Sequence, residues 1–239
     1  VDNISDQVAV LLLTEVDYKT SRKHDLAELT KIARSKGVIT VWDLAHSAGA
    51  IEVSLGKCKV DFAVGCTYKY LNGGPGAPAF IYISPKHANK IEPILSGWLG
   101  HIEPFSFSNN YVPANGVDRM QVGTPPIISM VALEAALEMW TSIDIKDVRE
   151  ASKTLSEMFI KRLDKSCPAL KLFSPRNPDL RGSHVAYKFA DGFALVQALI
   201  SRGVIGDFRA PDIIRFGFSP LFLSKKDILE ATDIIEDVM

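Results

Sequence analysis

The sequence predicts an α/β protein, a mostly parallel sheet covered by helices and followed by a smaller α/β unit. Two observations carry this. Short β-branched and Leu-rich runs alternate with stretches of helical period over the first half, and from Ile127 the pattern changes to long helices and then to a second set of short strands. A chain of 239 residues with 47% hydrophobic side chains is long enough to bury the core such a fold needs.

The elements follow in order. "QVAVLLLTEV" (Gln7 to Val16) reads as a buried strand, and "HDLAELTKIARSKG" (His24 to Gly37) has helical spacing at Leu26, Leu29, Ile32 and Ala33 with Gly37 as its stop. "VITVWD", "VDFAVGC" and "PAFIYIS" read as three further strands joined by short turn-rich or helical connections. "IISMVALEAALEMW" and "IKDVREASKTLSEMFIKRLDK", up to the break at Pro168, are helical. The remainder reads as strands "ALKLFS" and "SHVAYKF", helix "GFALVQALISRG", strands "VIGDF" and "IIRFGF", and closing helix "SKKDILEATDIIEDVM". Residues 1–143 are expected to form part of a large domain and residues 144–239 a small C-terminal domain.

Net charge is −1 with acids and bases interspersed, so neither nucleic acid nor an anionic membrane is implied as a partner. The three cysteines have no zinc or disulfide spacing, which points to no metal site and a reducing, cytoplasmic setting. No apolar run approaches the length of a bilayer span. The chain begins with Val in what reads as a strand approach, and is expected to be the later part of a longer protein.

In open α/β sheets, ligands sit beyond the carboxyl ends of the strands. Asp43, His46 and Lys69 fall at or just past such ends. A carboxylate closing an apolar run needs a cationic partner, such as a protonated pyridine nitrogen, or else serves as a helix cap or turn residue. Lysine in apolar surroundings has a lowered pKa and its neutral amine can form a Schiff base with an aldehyde; an exposed strand-end lysine is the plain alternative. His46 is close enough in sequence to share a ligand with Asp43, or to be a satisfied core or turn residue. The "NGGPG" that follows Lys69 supplies tight turns or close backbone approach and lacks the pattern of a nucleotide loop.

Taken together, "DLAHSAGA", "DFAVGCTYKYLNGGPG", "LSGWLGH", "QVGTPPI", "RGSHVAYKF", "LISRGVIGDFR" and "IIRFGFSPLF" resemble the pyridoxal-phosphate enzymes of the aspartate-aminotransferase fold type, class V group, and more narrowly the kynureninase family. The resemblance implies the later portion of the cofactor-binding large domain plus the small domain. It implies pyridoxal 5'-phosphate held covalently by Lys69, with Asp43 on the ring nitrogen, His46 at the phenolic oxygen and Tyr68 on the phosphate and relaying a proton. Thr14 matches a position near the cofactor. Trp98 and Thr124 match positions that approach the phosphate from the neighbouring subunit of a homodimer, and Thr124 also contacts the substrate. Arg215 matches the arginine that takes the substrate α-carboxylate, since a planar fork suits a planar carboxylate. Each has a bland alternative, packing for Tyr68 and Trp98 and a surface ion pair for Arg215. His101 and Arg119 carry no assigned role.

The implied reaction is hydrolytic cleavage of the Cβ–Cγ bond of L-kynurenine to anthranilate and L-alanine, a step of tryptophan catabolism. The small Gly123 and Thr124 lean towards the substrate without a 3-hydroxyl. The phosphate loop and the ring that stacks on the cofactor are expected before Val1, in roughly one further subdomain. Two rivals remain. One is another class V enzyme, an aminotransferase or a cysteine desulfurase, the latter disfavoured because no cysteine lies between Cys66 and Cys167. The other is a non-catalytic dimerising module that kept the fold.

Overall fold

The structure is a computed structural model that describes residues 3–239. Packing divides the described residues into two units, one of residues 3–13, 25–45 and 54–138, the other of residues 14–24, 46–53 and 139–239.

The first unit is built on a four-stranded sheet in the order β1 (Val10–Thr14, whose last residue begins the second unit), β2 (Ile39–Asp43), β3 (Phe62–Cys66), β4 (Ala79–Ile83). Helix α1 (Leu26–Ser35) starts where the Asp25 carboxylate accepts the Glu28 N–H, and it ends before Gly37, whose φ of +74° makes the turn into β2. Its Thr30 hydroxyl accepts the indole N–H of Trp42 at 2.9 Å, so the helix is pinned to the covered face of the sheet. The short helices α2 (Leu55–Cys58) and α3 (Pro85–Ala88) bracket β3 and β4.

Strands β2 and β3 are parallel, with Asp43 opposite Val64, as the strand–helix alternation requires. β4 instead runs antiparallel to β3, pairing Cys66 with Ala79. The reason is the connection: the chain turns through the glycine-rich loop straight back along β3, without the helical crossover that a parallel return demands. Alternation also splits the faces. Thr40, Trp42, Ala63 and Gly65 are buried, whereas Val10, Leu12, Ile39, Val64 and Ile81 are exposed. Gly65 makes room for the Phe80 ring, which a Cβ there would meet at 2.3 Å.

At the opposite end of these strands, buried Asp61 accepts from the Thr40 N–H and hydroxyl, from Lys86 Nζ at 3.1 Å and meets His87 Nε2 at 2.7 Å. Burial alone would raise its pKa; the His87, Thr40 and Lys86 contacts outweigh it and bring the carboxyl down to about 2. Helix α4 (Ile127–Glu138) follows the loop region, and Ile127, Ile128 and Val131 on it are exposed.

The second unit carries helix α5 (Ile145–Ser166), capped by Asp144, then an antiparallel sheet in the order β5 (Lys171–Leu172), β6 (His184–Lys188), β8 (Ile213–Gly217), β7 (Asp207–Arg209). Helix α6 (Gly192–Ser201) joins β6 to β7, and α7 (Lys225–Val238) closes the chain behind a Ser224–Asp227 capping box. Its core is continuous: Phe159 lies 5.0 to 6.3 Å from the rings of Phe216, Phe218 and Tyr187, among Leu163, Leu199, Ile214 and Ile235. Residues 14–24 join this unit through Gly182 N–H to Ser21 O at 2.8 Å and Lys23 N–H to Leu180 O at 2.9 Å. A Cβ on Gly182 would strike Val16 at 2.5 Å.

Candidate active site

In the first unit the parallel pair β2–β3 ends in the residues with chemistry. Half-buried Asp43 closes β2, and its Oδ1 accepts the Ala45 N–H at 2.8 Å, which orients the carboxylate beyond the strand. The next strand is held in step by Leu44 N–H to Val64 O at 2.8 Å and by the Cys66 thiol against Ala45 O at 3.7 Å. Thr67, Tyr68 and Lys69 therefore leave β3 beside the end of β2.

The loop that follows is knotted rather than loose. Gly73 N–H reaches Thr67 O, Asn72 N–H reaches Lys69 O, and the Thr67 hydroxyl donates to Pro78 O. Asn72, Gly74 and Gly76 all have φ between 60° and 79°, so "NGGPG" is the set of residues that lets the backbone close around Lys69. A Cβ at Gly73 would lie 2.9 Å from Ala77 and 3.0 Å from Thr67 O. Lys69 is half-buried with its Nζ 5.4 Å from the Tyr68 ring centre. The half-exposed Tyr68 phenol is pushed above its ordinary range, first by the neighbouring Cys66, then by slight burial and by Asp43.

Trp98 lies in a single 3₁₀ turn, half-exposed, edge-on to Phe105 at 5.6 Å. The two motifs "SGWLGH" and "QVGTPPI" meet backbone to backbone: a Cβ on Gly97 would collide with Val122 O and one on Gly100 with Gln121 O. This brings Trp98 beside Gly123 and places exposed Thr124 just after that contact. Trp98, His101, Pro104, Phe107 and Tyr111 line a shallow aromatic cavity of about 380 Å³. His101 accepts the Glu103 N–H on Nδ1 at 2.9 Å and bonds Asn110 O through Nε2, so it shapes that loop. Buried Arg119 clamps Ala114 O and Ile91 O.

In the second unit the Thr14 hydroxyl donates to Val16 O at 2.9 Å. The His46 ring lies 5.5 Å from that of buried His184. Arg215, on the central strand β8, stands opposite Asp207 on one side and Ala186 on the other, and its Nε bonds Asp207 Oδ1 at 2.9 Å. Its Nη1 donates to Tyr18 O. Asp207 also takes Arg209 at 3.0 Å, so two guanidinium groups share one carboxylate and a net positive charge remains. A larger groove of about 920 Å³ along α5 is lined by long side chains such as Lys153, Glu157 and Lys161 and contains none of these residues.

Thus Asp43, Tyr68 and Lys69 gather at one sheet end, Trp98 and Thr124 share one loop contact, and His46 and Arg215 both reach the surroundings of His184. Sequence reasoning missed Tyr18, His184 and Asp207. Asp207 had a signal, since it faces Arg215 across a two-strand return; the other two had none short of knowing where residues 14–24 dock. Among the described residues, no group of three His, Cys, Asp or Glu could hold a metal ion, and no helix is long and apolar enough to cross a membrane.

Comparison with known proteins finds likeness in sequence and in fold. Residues 148–235 match the family described as kynureninase C-terminal domain. A kynureninase of Deinococcus radiodurans is 46% identical over 239 residues, covering 99% of this chain and 58% of that protein, and one of Pseudomonas fluorescens is 43% identical, covering 99% and 57%. In structure, a cysteine desulfurase from Thermococcus onnurineus matches with a TM-score of 0.82 at 22% identity over 95% of this chain and 59% of its own. An alanine–glyoxylate aminotransferase from Nostoc sp. matches with a TM-score of 0.73 at 20% identity, covering 96% and 61%. Likeness at that identity establishes the fold, and the α/β architecture with a mixed, mostly parallel sheet is theirs. The chain spans a little under three fifths of the length of the curated relatives it matches, and over that span its sequence is similar to theirs.

Proposed function

We propose that the protein acts in hydrolytic Cβ–Cγ cleavage of L-kynurenine, giving anthranilate and L-alanine, with pyridoxal 5'-phosphate as cofactor. The observation that carries this is the convergence of Asp43, Tyr68 and Lys69 at the carboxyl ends of β2 and β3, where ligands of open α/β sheets bind. The donor set fits the cofactor: an oriented carboxylate for a ring nitrogen, an amine held by a closed loop for an aldehyde, and a protonated phenol beside it. When bound, the cofactor supplies an electron sink for negative charge formed at the substrate α-carbon.

The chain's own residues then have distinct tasks. Lys69 would hold the cofactor through its amine and would carry the substrate α-proton. Asp43 would keep the ring nitrogen protonated, because a carboxylate oriented beyond a strand end favours a cation beside it. Tyr68, kept protonated, donates towards the substrate γ-carbonyl. His46 and Thr14 would serve the cofactor. Arg215, backed by Asp207, takes the substrate α-carboxylate. The aromatic cavity at Trp98 supports an aryl-bearing substrate.

We further propose a homodimer in which Trp98 and Thr124 serve the neighbouring subunit's site. Exposed Ile94, Leu95, Phe105, Phe107, Ile128 and Val131, all within one stretch of the first unit, support it, since apolar surface on that scale marks an interface. Residues 1–143 belong on this reading to the large domain and 144–239 to the small one, in a cytoplasmic protein.

The test is anthranilate fluorescence after adding L-kynurenine to the protein saturated with pyridoxal 5'-phosphate, run on these 239 residues and on the longest natural product containing them. Anthranilate from the longer product, lost in Lys69→Ala, is expected. Absence of anthranilate from both, with transfer of the amino group to a keto acid instead, overturns the reading in favour of an aminotransferase.

A further inference from the structure

Two side chains of the second unit converge on one backbone oxygen. The Tyr18 carbonyl accepts from His184 Nε2 at 3.1 Å and from Arg215 Nη1, and the Tyr18 ring lies 5.8 Å from the guanidinium. That carbonyl is not free to drift. Asp17 Oδ1 accepts from Lys19 N–H at 3.1 Å and from the Thr20 N–H and hydroxyl at 2.6 Å, and Ser21 O accepts the Gly182 N–H.

His184 faces Gly217 across β6–β8, two residues along from the Ala186–Arg215 pair, so the imidazole and the guanidinium are diagonal neighbours on one sheet face. Donation to a carbonyl assigns the ring hydrogen to Nε2. Nδ1 then carries the lone pair, and it is buried with no hydrogen-bond partner among the described residues.

We propose that His184 is a positioning residue: through the Tyr18 carbonyl it fixes the Arg215 guanidinium, and it presents a neutral ring to His46, so that the Nη2 edge of Arg215 is held ready for an α-carboxylate. This rests on the reading that Arg215 takes the substrate carboxylate. With Nε on Asp207 and Nη1 on Tyr18, Nη2 is the edge that makes no hydrogen bond among the described residues. A neutral neighbour is what such an arginine needs, since a second cation would compete for the same carbonyl and repel the fork. Burial first, and then the charges of His46 and Arg215, hold the His184 pKa down to about 3 against the opposing Tyr18 carbonyl and Asp17.

The test compares His184→Phe, which removes the donor, with His184→Gln, whose amide nitrogen can replace Nε2–H. In ¹⁵N-resolved NMR of the protein, His184 is expected to stay in the Nε2–H form without titrating between about pH 5 and 8, and the Arg215 Nε–H signal to persist in His184→Gln but broaden in His184→Phe. In turnover of L-kynurenine, KM is expected to rise roughly tenfold in His184→Phe, the loss of one hydrogen bond's worth of binding, with kcat little changed and His184→Gln near wild type. A His184 that titrates near its ordinary value, or an Arg215 signal and a KM unmoved in His184→Phe, overturns the proposal. If the wild-type protein turns over no kynurenine, the proposed function has failed and the NMR comparison alone decides the positioning role; should His184→Phe not fold, the tautomer and titration of His184 in the wild-type protein decide it.

Discussion

The two units solve the problem of apolar surface differently. The second closes a single core in which Phe159 touches three other aromatic rings and α5, α6 and α7 cover one side of the antiparallel sheet. The first leaves alternate residues of its sheet, Leu12, Ile39, Val64 and Ile81, open, together with Ile94, Phe107 and Ile128. Stability of the second is thus internal, whereas the first leaves apolar surface open. The same difference separates the site residues: Arg215 is braced within a finished core, and Lys69 by a glycine-rich loop.

That contrast can be broken most forcefully at Phe159. Phe159→Ala is expected to cost about 3 to 5 kcal/mol, the usual range for emptying an aromatic core position, while Ile81→Ala on the open sheet face costs under about 1 kcal/mol. Urea unfolding of both variants checks it; equal losses would mean that the exposed face is already covered.

Next in size is Asp61, whose folded pKa of about 2 lies below its ordinary 3.8. A depressed carboxyl stabilises the fold above the unfolded value and loses that contribution as pH falls through the folded one. Asp61→Asn should therefore cost about 2 kcal/mol at pH 7, and the gap to wild type should close between about pH 4 and 2.

Buried Glu15 in the second unit has the opposite sign. Burial raises its pKa from 4.5 to about 6, with Ser47 and Lys23 offsetting part of the cost. Stability from this group is present below pH 4.5 and lost as pH rises through 6. Glu15→Gln should flatten that slope, a change of up to about 2 kcal/mol, read as unfolding midpoints at pH 4.5, 6 and 7.5. Smallest in stability but sharpest for the comparison is Ile128→Lys, which should alter unfolding by under about 0.5 kcal/mol yet shift sedimentation towards monomer if the exposed stretch is a homodimer interface.

Much of this was legible in the chain. Helices α1, α5 and α7 follow from their apolar period, whereas their caps Asp25, Asp144 and Ser224 are seen only in the structure. Asp43 and Lys69 were found because polar groups closing apolar runs are unusual. The reversal of β4 was not read, since strand direction depends on how the Lys69 loop closes, and neither was the start of β7 at Asp207 rather than at Val204. Asp61 was passed over because its partners, Thr40 and His87, are 21 and 26 residues away on either side. His184 and Tyr18 became meaningful only when residues 14–24 were seen docked beside Gly182.

The central claim is that the ends of β2 and β3 form a cofactor-holding half-site centred on Lys69. The most direct measurement is borohydride reduction of the protein mixed with pyridoxal 5'-phosphate, followed by peptide mass mapping, beside the Asp43→Asn and Lys69→Arg variants. The account predicts a single labelled peptide containing Lys69, weaker labelling in Asp43→Asn and none there in Lys69→Arg. Labelling spread over surface lysines, with Lys69 no more reactive than the rest, would contradict it.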